Sequence, residues 1–151
     1  MNKKIAILDY GLGNIMSLAR AIESLDGDVV ISSSQEKINQ SDILIIPGVG
    51  SFGKAMEELN KRDLLKTIYK FIKSGRTVMG ICLGMQILFE SSEESKGISG
   101  LGILTGEVIK IPTPGLLKKR KIPHIGWSKI YSSQEDDEWN NTILRGITKK
   151  D

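Results

Sequence analysis

The stretch Val78-Met79-Gly80-Ile81-Cys82-Leu83-Gly84-Met85-Gln86 limits what this chain can become more than any other. An apolar, β-rich run over 77–81 leads into it, and a helix-like run over 83–89 leads away. The only cysteine of the chain sits at the junction, with a glycine two residues to either side. A strand that turns sharply into a helix around one residue strains that residue's backbone, and glycines let the flanking backbones approach. This is the layout of a nucleophile elbow, with sulfur where a serine oxygen is more common. At the first turn of a helix, unpaired N–H groups and the helix dipole favour a thiolate. The amide of Leu83 is then expected to point where an oxyanion forms. The alternative is a buried structural cysteine, since free Cys is among the most buried residue types.

A second segment bears on the same chemistry. Ile43-Leu44-Ile45-Ile46 reads as a fully buried parallel strand, and it ends abruptly in Pro47-Gly48-Val49-Gly50. Proline fixes one φ, and the glycines allow conformations closed to other residues. In open α/β sheets, sites form beyond the carboxyl ends of strands. Residues 47–50 and Cys82 both fall at such ends. The backbone of Gly48, Val49 and Gly50 can therefore supply a second oxyanion donor, from the amide of Val49 or its neighbour. The competing account is an ordinary strand-to-helix turn.

The pattern around these segments alternates. Strands are expected over 5–8, 29–31, 43–46 and 77–81. Ile15, Leu18, Ile22 and Leu25 recur at helical spacing, with Asn14 as cap and Gly27 as stop. Further helices are expected over 53–59 and through Leu65, Ile68 and Ile72 to Gly75. Such alternation predicts an α/β fold, a mostly parallel sheet with helices on both faces. After Gly97, glycines and prolines become frequent and short β-like runs such as 107–111 occur, which predicts a small antiparallel extension.

Bulk properties fit one domain over 1–151 with a substantial core. Hydrophobic residues make up 40% and charged residues 26%, ordinary for a globular protein. A net charge of +3 is too small to imply nucleic acid. One cysteine excludes an internal disulfide and suits a reducing, cytoplasmic setting. The apolar run after Met1-Asn2-Lys3-Lys4 is too short for a signal-peptide core, and no stretch is long enough to span a membrane. Gly11-Leu12-Gly13-Asn14-Ile15-Met16 imitates a dinucleotide fingerprint, but Met16 replaces the third glycine and no acidic residue closes the second strand. A tight turn at a site edge is the better reading. Lys118-Lys119-Arg120-Lys121 and Glu135-Asp136-Asp137-Glu138 read as solvated loops, the first with the alternative of an acidic partner surface. Asn140-Asn141-Thr142 fits a glycosylation acceptor by chance.

Taken together, Gly80-Ile81-Cys82-Leu83-Gly84-Met85-Gln86, Pro47-Gly48-Val49-Gly50 and Pro123-His124-Ile125-Gly126-Trp127 make the chain resemble a class I glutamine amidotransferase, whose fold is flavodoxin-like. Within that class it resembles the glutaminase subunit of imidazole glycerol phosphate synthase. Asp9-Tyr10-Gly11-Leu12-Gly13-Asn14 and Phe89-Glu90-Ser91-Ser92-Glu93-Glu94 fit the same subunit, so the likeness runs from residue 5 to about 128. It implies hydrolysis of glutamine to glutamate and ammonia, with Cys82 attacking the side-chain amide to form a thioester. Residues 48–50 and the Leu83 amide would hold the oxyanion, and Gln86 and Glu94 would hold the substrate. On the residues alone, Gln86 is equally a polar helix-face residue and Glu94 part of a solvated acidic loop. No cofactor or metal is implied.

The resemblance also implies a partner: a (β/α)8-barrel synthase subunit, forming a heterodimer through which ammonia passes. Asn14, His124 and Trp127 are expected to face it. Trp127 has the alternative of capping the chain's own core. The chain departs from the family in one respect. A cysteine amidase needs a base, which in the family is a histidine oriented by a glutamate near the C-terminus. The sole histidine here is His124, in a different segment, and the numbering ends at Asp151 before that pair is expected. The domain thus reads as lacking the family's C-terminal segment. The alternatives are an inactive relative that only binds its partner, an amidotransferase serving a surface-sugar synthase, and a cysteine hydrolase of the intracellular peptidase type.

Overall fold

A computed structural model describes residues 3–112, 126–130, 139 and 142–145. The chain divides into two units, Met1–Ile111 and Pro112–Asp151. In the first, four strands form one parallel sheet: β1 (Lys4–Leu8), β2 (Asp28–Ser32), β3 (Ile43–Ile46) and β4 (Thr77–Gly80), in the order β2-β1-β3-β4. Ile5 pairs with Ile43 and Val29, and Ile46 with Gly80.

Strands β1 and β3 are apolar at every position but one because both of their faces are covered. Ile7 and Ile45 point to one side, where α1 (Ile15–Glu23) packs through Ala19, Ile15, Leu18 and Ile22. Ala6, Leu8, Leu44 and Ile46 point to the other side. There α2 (Gln35–Asn39), α3 (Phe52–Lys61) and α4 (Leu64–Lys73) contribute Ile38, Phe52, Leu59, Ile68 and Phe71, all with no exposed surface. Burying side chains of this size stabilises by about 1.5–3 kcal/mol each before entropy is counted. The expected helices on both faces are present. Helix α2 falls where no element was expected: five residues with one apolar side chain carry no periodicity to detect. The Asn14 side chain makes no cap bond to α1; its carbonyl alone receives the Leu18 N–H, at 3.2 Å.

Two expectations need correction beyond β4. The helix expected over 83–89 is one turn, α5 (Leu83–Gln86), followed by β5 (Phe89–Ser92). Ile87 and Leu88 are buried, and their carbonyls accept from the N–H groups of Leu101 and Ile103 at 2.8 and 2.9 Å. Those bonds to a distant segment override the local helical pattern. The extension is also not antiparallel: β5 pairs in parallel with β6 (Leu104–Val108). After a 3-10 turn (Glu93–Ser95), the chain runs back beside β5, meeting it through an antiparallel bridge of Ser91 and Ser99 and the bond of Gly100 N–H to the Glu90 carbonyl, 2.8 Å. It then reverses, so β6 starts in the direction of β5. Tyr69 of α4 donates to the Leu101 carbonyl at 2.6 Å and fixes this return run.

Candidate active site

The order β2-β1-β3-β4 puts the carboxyl ends of β1, β3 and β4 side by side, with the reversal of winding between β1 and β3. That is where open α/β sheets form their crevice. Three turns meet there: residues 9–14 after β1, residues 47–51 after β3, and Cys82 after β4.

Cys82 is the N-cap of α5 and has φ +54° and ψ −118°. A non-glycine residue held at such a φ is strained, a conformation that clusters at functional sites. Its side chain is exposed, which removes the buried structural alternative. The carbonyl of Cys82 accepts from the N–H groups of Met85 and Gln86, at 3.0 and 3.1 Å, and the Ile81 N–H bonds the Ile46 carbonyl at 3.0 Å. Leu83 is the first residue of α5, so its N–H has no carbonyl within the helix to bond. Because α5 is a single turn, any dipole support for the sulfur is that of one turn rather than of a full helix.

Three glycines allow the elbow to sit on the end of β3. A Cβ on Gly84 would fall inside the Ile46 carbonyl. One on Gly80 would come within 2.5 Å of the Met85 Cα, and one on Gly48 within 2.9 Å of the Gly84 nitrogen. Residues 47–50 and the elbow, read separately from the sequence, are therefore in direct contact. Gly48 is buried, whereas Val49 and Gly50 are exposed. Gly50 has φ +109° and nothing within 4 Å of where a Cβ would stand.

Tyr10 is a site residue that the sequence reading took only as part of a turn motif. It has no exposed surface, and its hydroxyl donates to the Pro47 carbonyl at 2.7 Å. Burial pushes this hydroxyl up to about 12, and the charge of the nearby Cys82 sulfur adds to the rise. An aromatic two residues after β1, at the start of a glycine-rich turn, was the available signal. Gly13 packs on the Pro47 ring, 3.3 Å from an added Cβ, which makes the Gly11-Leu12-Gly13 segment a site-edge turn as expected.

Residues 6–149 match the model of the class-I glutamine amidotransferases. The chain belongs to that family. Its match with the imidazole glycerol phosphate synthase subunit HisH of Bacillus cereus (strain G9842) is 45% identical over 139 residues, 92% of this chain and 64% of that protein. With the subunit HisH 1 of Legionella pneumophila (strain Lens) it is 42% over 144 residues, 95% of this chain and 68% of that one. The chain thus spans about two thirds of the length of these relatives. A crystal structure of a glutamine amidotransferase superposes with a TM-score of 0.60 at 19% identity, over 70% of this chain and 55% of that one, a likeness of fold.

The remaining expected residues of this amidotransferase chain fall as follows. Gln86 is half-buried at the end of the turn that Cys82 starts. Glu94 lies in the 3-10 turn and is exposed, and its Oε2 accepts from the Phe52 N–H of α3 at 3.0 Å. Asn14 is exposed. Trp127, in the second unit, is exposed. His124 lies outside the described residues, as do both charged runs, 118–121 and 135–138. Among the described residues no group of His, Cys, Asp and Glu side chains could hold a metal ion, and no helix is long and apolar enough to cross a membrane.

Proposed function

We propose that this chain carries the glutamine-hydrolysing chemistry of a two-component synthase. The observation that supports it most is Cys82 at φ +54°, exposed at the junction of β4 and α5, with residues 47–50 packed against the same turn. In this reading the Cys82 thiolate attacks the carboxamide carbon of glutamine. The carbonyl oxygen becomes an oxyanion held by the N–H of Leu83 and by those of Val49 and its glycine neighbours. The C–N bond breaks, ammonia leaves with an added proton, and water hydrolyses the thioester to glutamate and free thiol. Gln86 and Glu94 hold the amino-acid end of the substrate, a charged and hydrogen-bonding group that an amide and a carboxylate suit.

The proton acceptor of the family is a histidine in a C-terminal segment, and His124, the sole histidine of this sequence, lies in a different one. The names of the relatives, subunits of imidazole glycerol phosphate synthase, favour an ammonia-accepting (β/α)8-barrel subunit as partner and histidine biosynthesis in the cytoplasm as the setting. Asn14, His124 and Trp127 would face that partner. The test is covalent. A glutamine-derived diazo-ketone, added to the chain with a barrel subunit present, is expected to modify Cys82 and nothing else, as read by peptide mass spectrometry. Modification elsewhere, or none, would sink the assignment. Cleavage of peptides without hydrolysis of glutamine would favour a cysteine peptidase.

A further inference from the structure

The loop over 47–51, which carries the proposed oxyanion donors, is tied at both ends. At its start, Tyr10 holds the Pro47 carbonyl at 2.7 Å. At its end, the N-terminus of α3 is capped from a distant element. Glu94 Oε2 accepts from the Phe52 N–H and Ser95 Oγ from the Gly53 N–H, each at 3.0 Å. Ser51, the N-cap by position, makes no side-chain cap bond. The 3-10 turn that supplies the two acceptors is itself fixed: Ser92 Oγ accepts from the Glu94 N–H at 3.3 Å, and Glu93 Oε2 from the Lys110 N–H at 3.0 Å. Between the two ties, Val49, Gly50 and Ser51 are exposed.

We propose that Glu94 and Ser95 are positioning residues for the oxyanion loop. Their bonds set where the loop enters α3, and hence where the Val49 and Gly50 amides stand relative to Cys82. The inference rests on the glutaminase reading above. It gives Glu94 a second role besides any contact with substrate. One carboxylate oxygen holds Phe52, and the other keeps its lone pairs for a ligand's ammonium group. A ligand bound there acts on the loop through the same side chain. The two roles separate by substitution: Glu94→Gln keeps an oxygen for the Phe52 N–H and loses the charge, whereas Glu94→Ala loses both. The Ser95 hydroxyl accepts from the Gly53 N–H and carries no charge for a substrate, so its removal isolates the tie.

Two measurements on the intact chain decide it. Hydrogen exchange of the amides of residues 49–53 is expected to rise on the order of fivefold in Ser95→Ala, the factor expected from losing one capping bond. Exchange in β1 and β3 should stay as in the wild type, and Ser95→Thr should restore the loop. Labelling of Cys82 by the diazo-ketone, whose ketone oxygen occupies the oxyanion position, should slow by a similar factor in Ser95→Ala. Labelling by iodoacetamide, which uses no oxyanion donor, should not slow. Wild-type exchange over 49–53 in Ser95→Ala, or equal slowing of both reagents, would overturn the proposal. If Ser95→Ala unfolds, the pair Glu94→Ala and Glu94→Gln carries the test: exchange over 49–53 raised in Glu94→Ala but not in Glu94→Gln supports the tie, and wild-type exchange in both refutes it. If the wild type takes no diazo-ketone, the glutaminase reading fails while the exchange measurement still decides the tie.

Discussion

Single side chains at this site act mostly by holding backbone. Tyr10 is the clearest case, since its buried hydroxyl donates to the Pro47 carbonyl. In Tyr10→Phe that buried carbonyl loses its donor, so chemical denaturation at pH 8 should show a loss of about 1–3 kcal/mol. The pH dependence has a definite sign. The fold raises the Tyr10 hydroxyl from 10.0 to about 12, which favours the neutral form. Its contribution is therefore complete below pH 10 and lost as pH rises towards 12. The gap in stability between wild type and Tyr10→Phe should narrow across that window, and a gap that stays constant would count against the buried placement. Glycines give the second residue-scale contrast. Gly84→Ala drives a methyl into the Ile46 carbonyl, a backbone clash that no rotamer relieves. It should cost about 3 kcal/mol or more, visible as a large fall in melting temperature. Gly50→Ala meets open space but keeps φ +109°, a strain of order 1–3 kcal/mol. Slower diazo-ketone labelling, with a fall in melting temperature smaller than that of Gly84→Ala, is the expected result. The sequence disclosed Cys82, Gly80 and Gly84 because their spacing is local. Tyr10 stayed hidden because its partner, Pro47, lies 37 residues away.

At the scale of elements, what could be read from the sequence follows the length of the periodic signal. Residues 43–46 are unbroken apolar sequence and are β3, with the bounds as expected. Leu65, Ile68 and Ile72 marked α4 by their spacing. The misses are short elements or ones set by remote partners. Helix α5 stops at Gln86 because Ile87 and Leu88 bond the returning segment, and nothing near residue 87 announces a bond to residue 101. The parallel pairing of β5 with β6 was misread for the same reason, since the reversal at the 3-10 turn is a tertiary event. Helix α2 shows that weak signal is not weak function: Ile38 is fully buried in the core shared with α4. Ile38→Ala should cost about 2–5 kcal/mol by equilibrium unfolding. Met85→Ala on the exposed side of α5 should stay within about 0.5 kcal/mol. If the two variants were equally stable, α2 would not be part of the core.

For the molecule as a whole, family and fold class were readable because two of the motifs fall at the carboxyl ends of the neighbouring strands β3 and β4, where such sheets form their sites. The partner surface was only partly readable. Trp127 left two accounts open in the sequence, a cap on the chain's own core or an anchor for another molecule, and one substitution separates them. Trp127→Ala is expected to leave the melting temperature of the isolated chain unchanged and to weaken binding to the barrel subunit by titration calorimetry. A destabilised variant with intact binding would refute the interface role. The proposed oxyanion donors are main-chain N–H groups, and this has a practical consequence for surveys of all possible substitutions. Apart from proline, no replacement at Leu83 or Val49 deletes such a group. A complete mutational scan of this protein should therefore look quiet at exposed Val49, and at Leu83 should register the loss of a buried core side chain rather than of its N–H. It should be loud at Gly48, Gly80 and Gly84, so a map of intolerant positions would outline the mould around the catalytic surface rather than that surface itself.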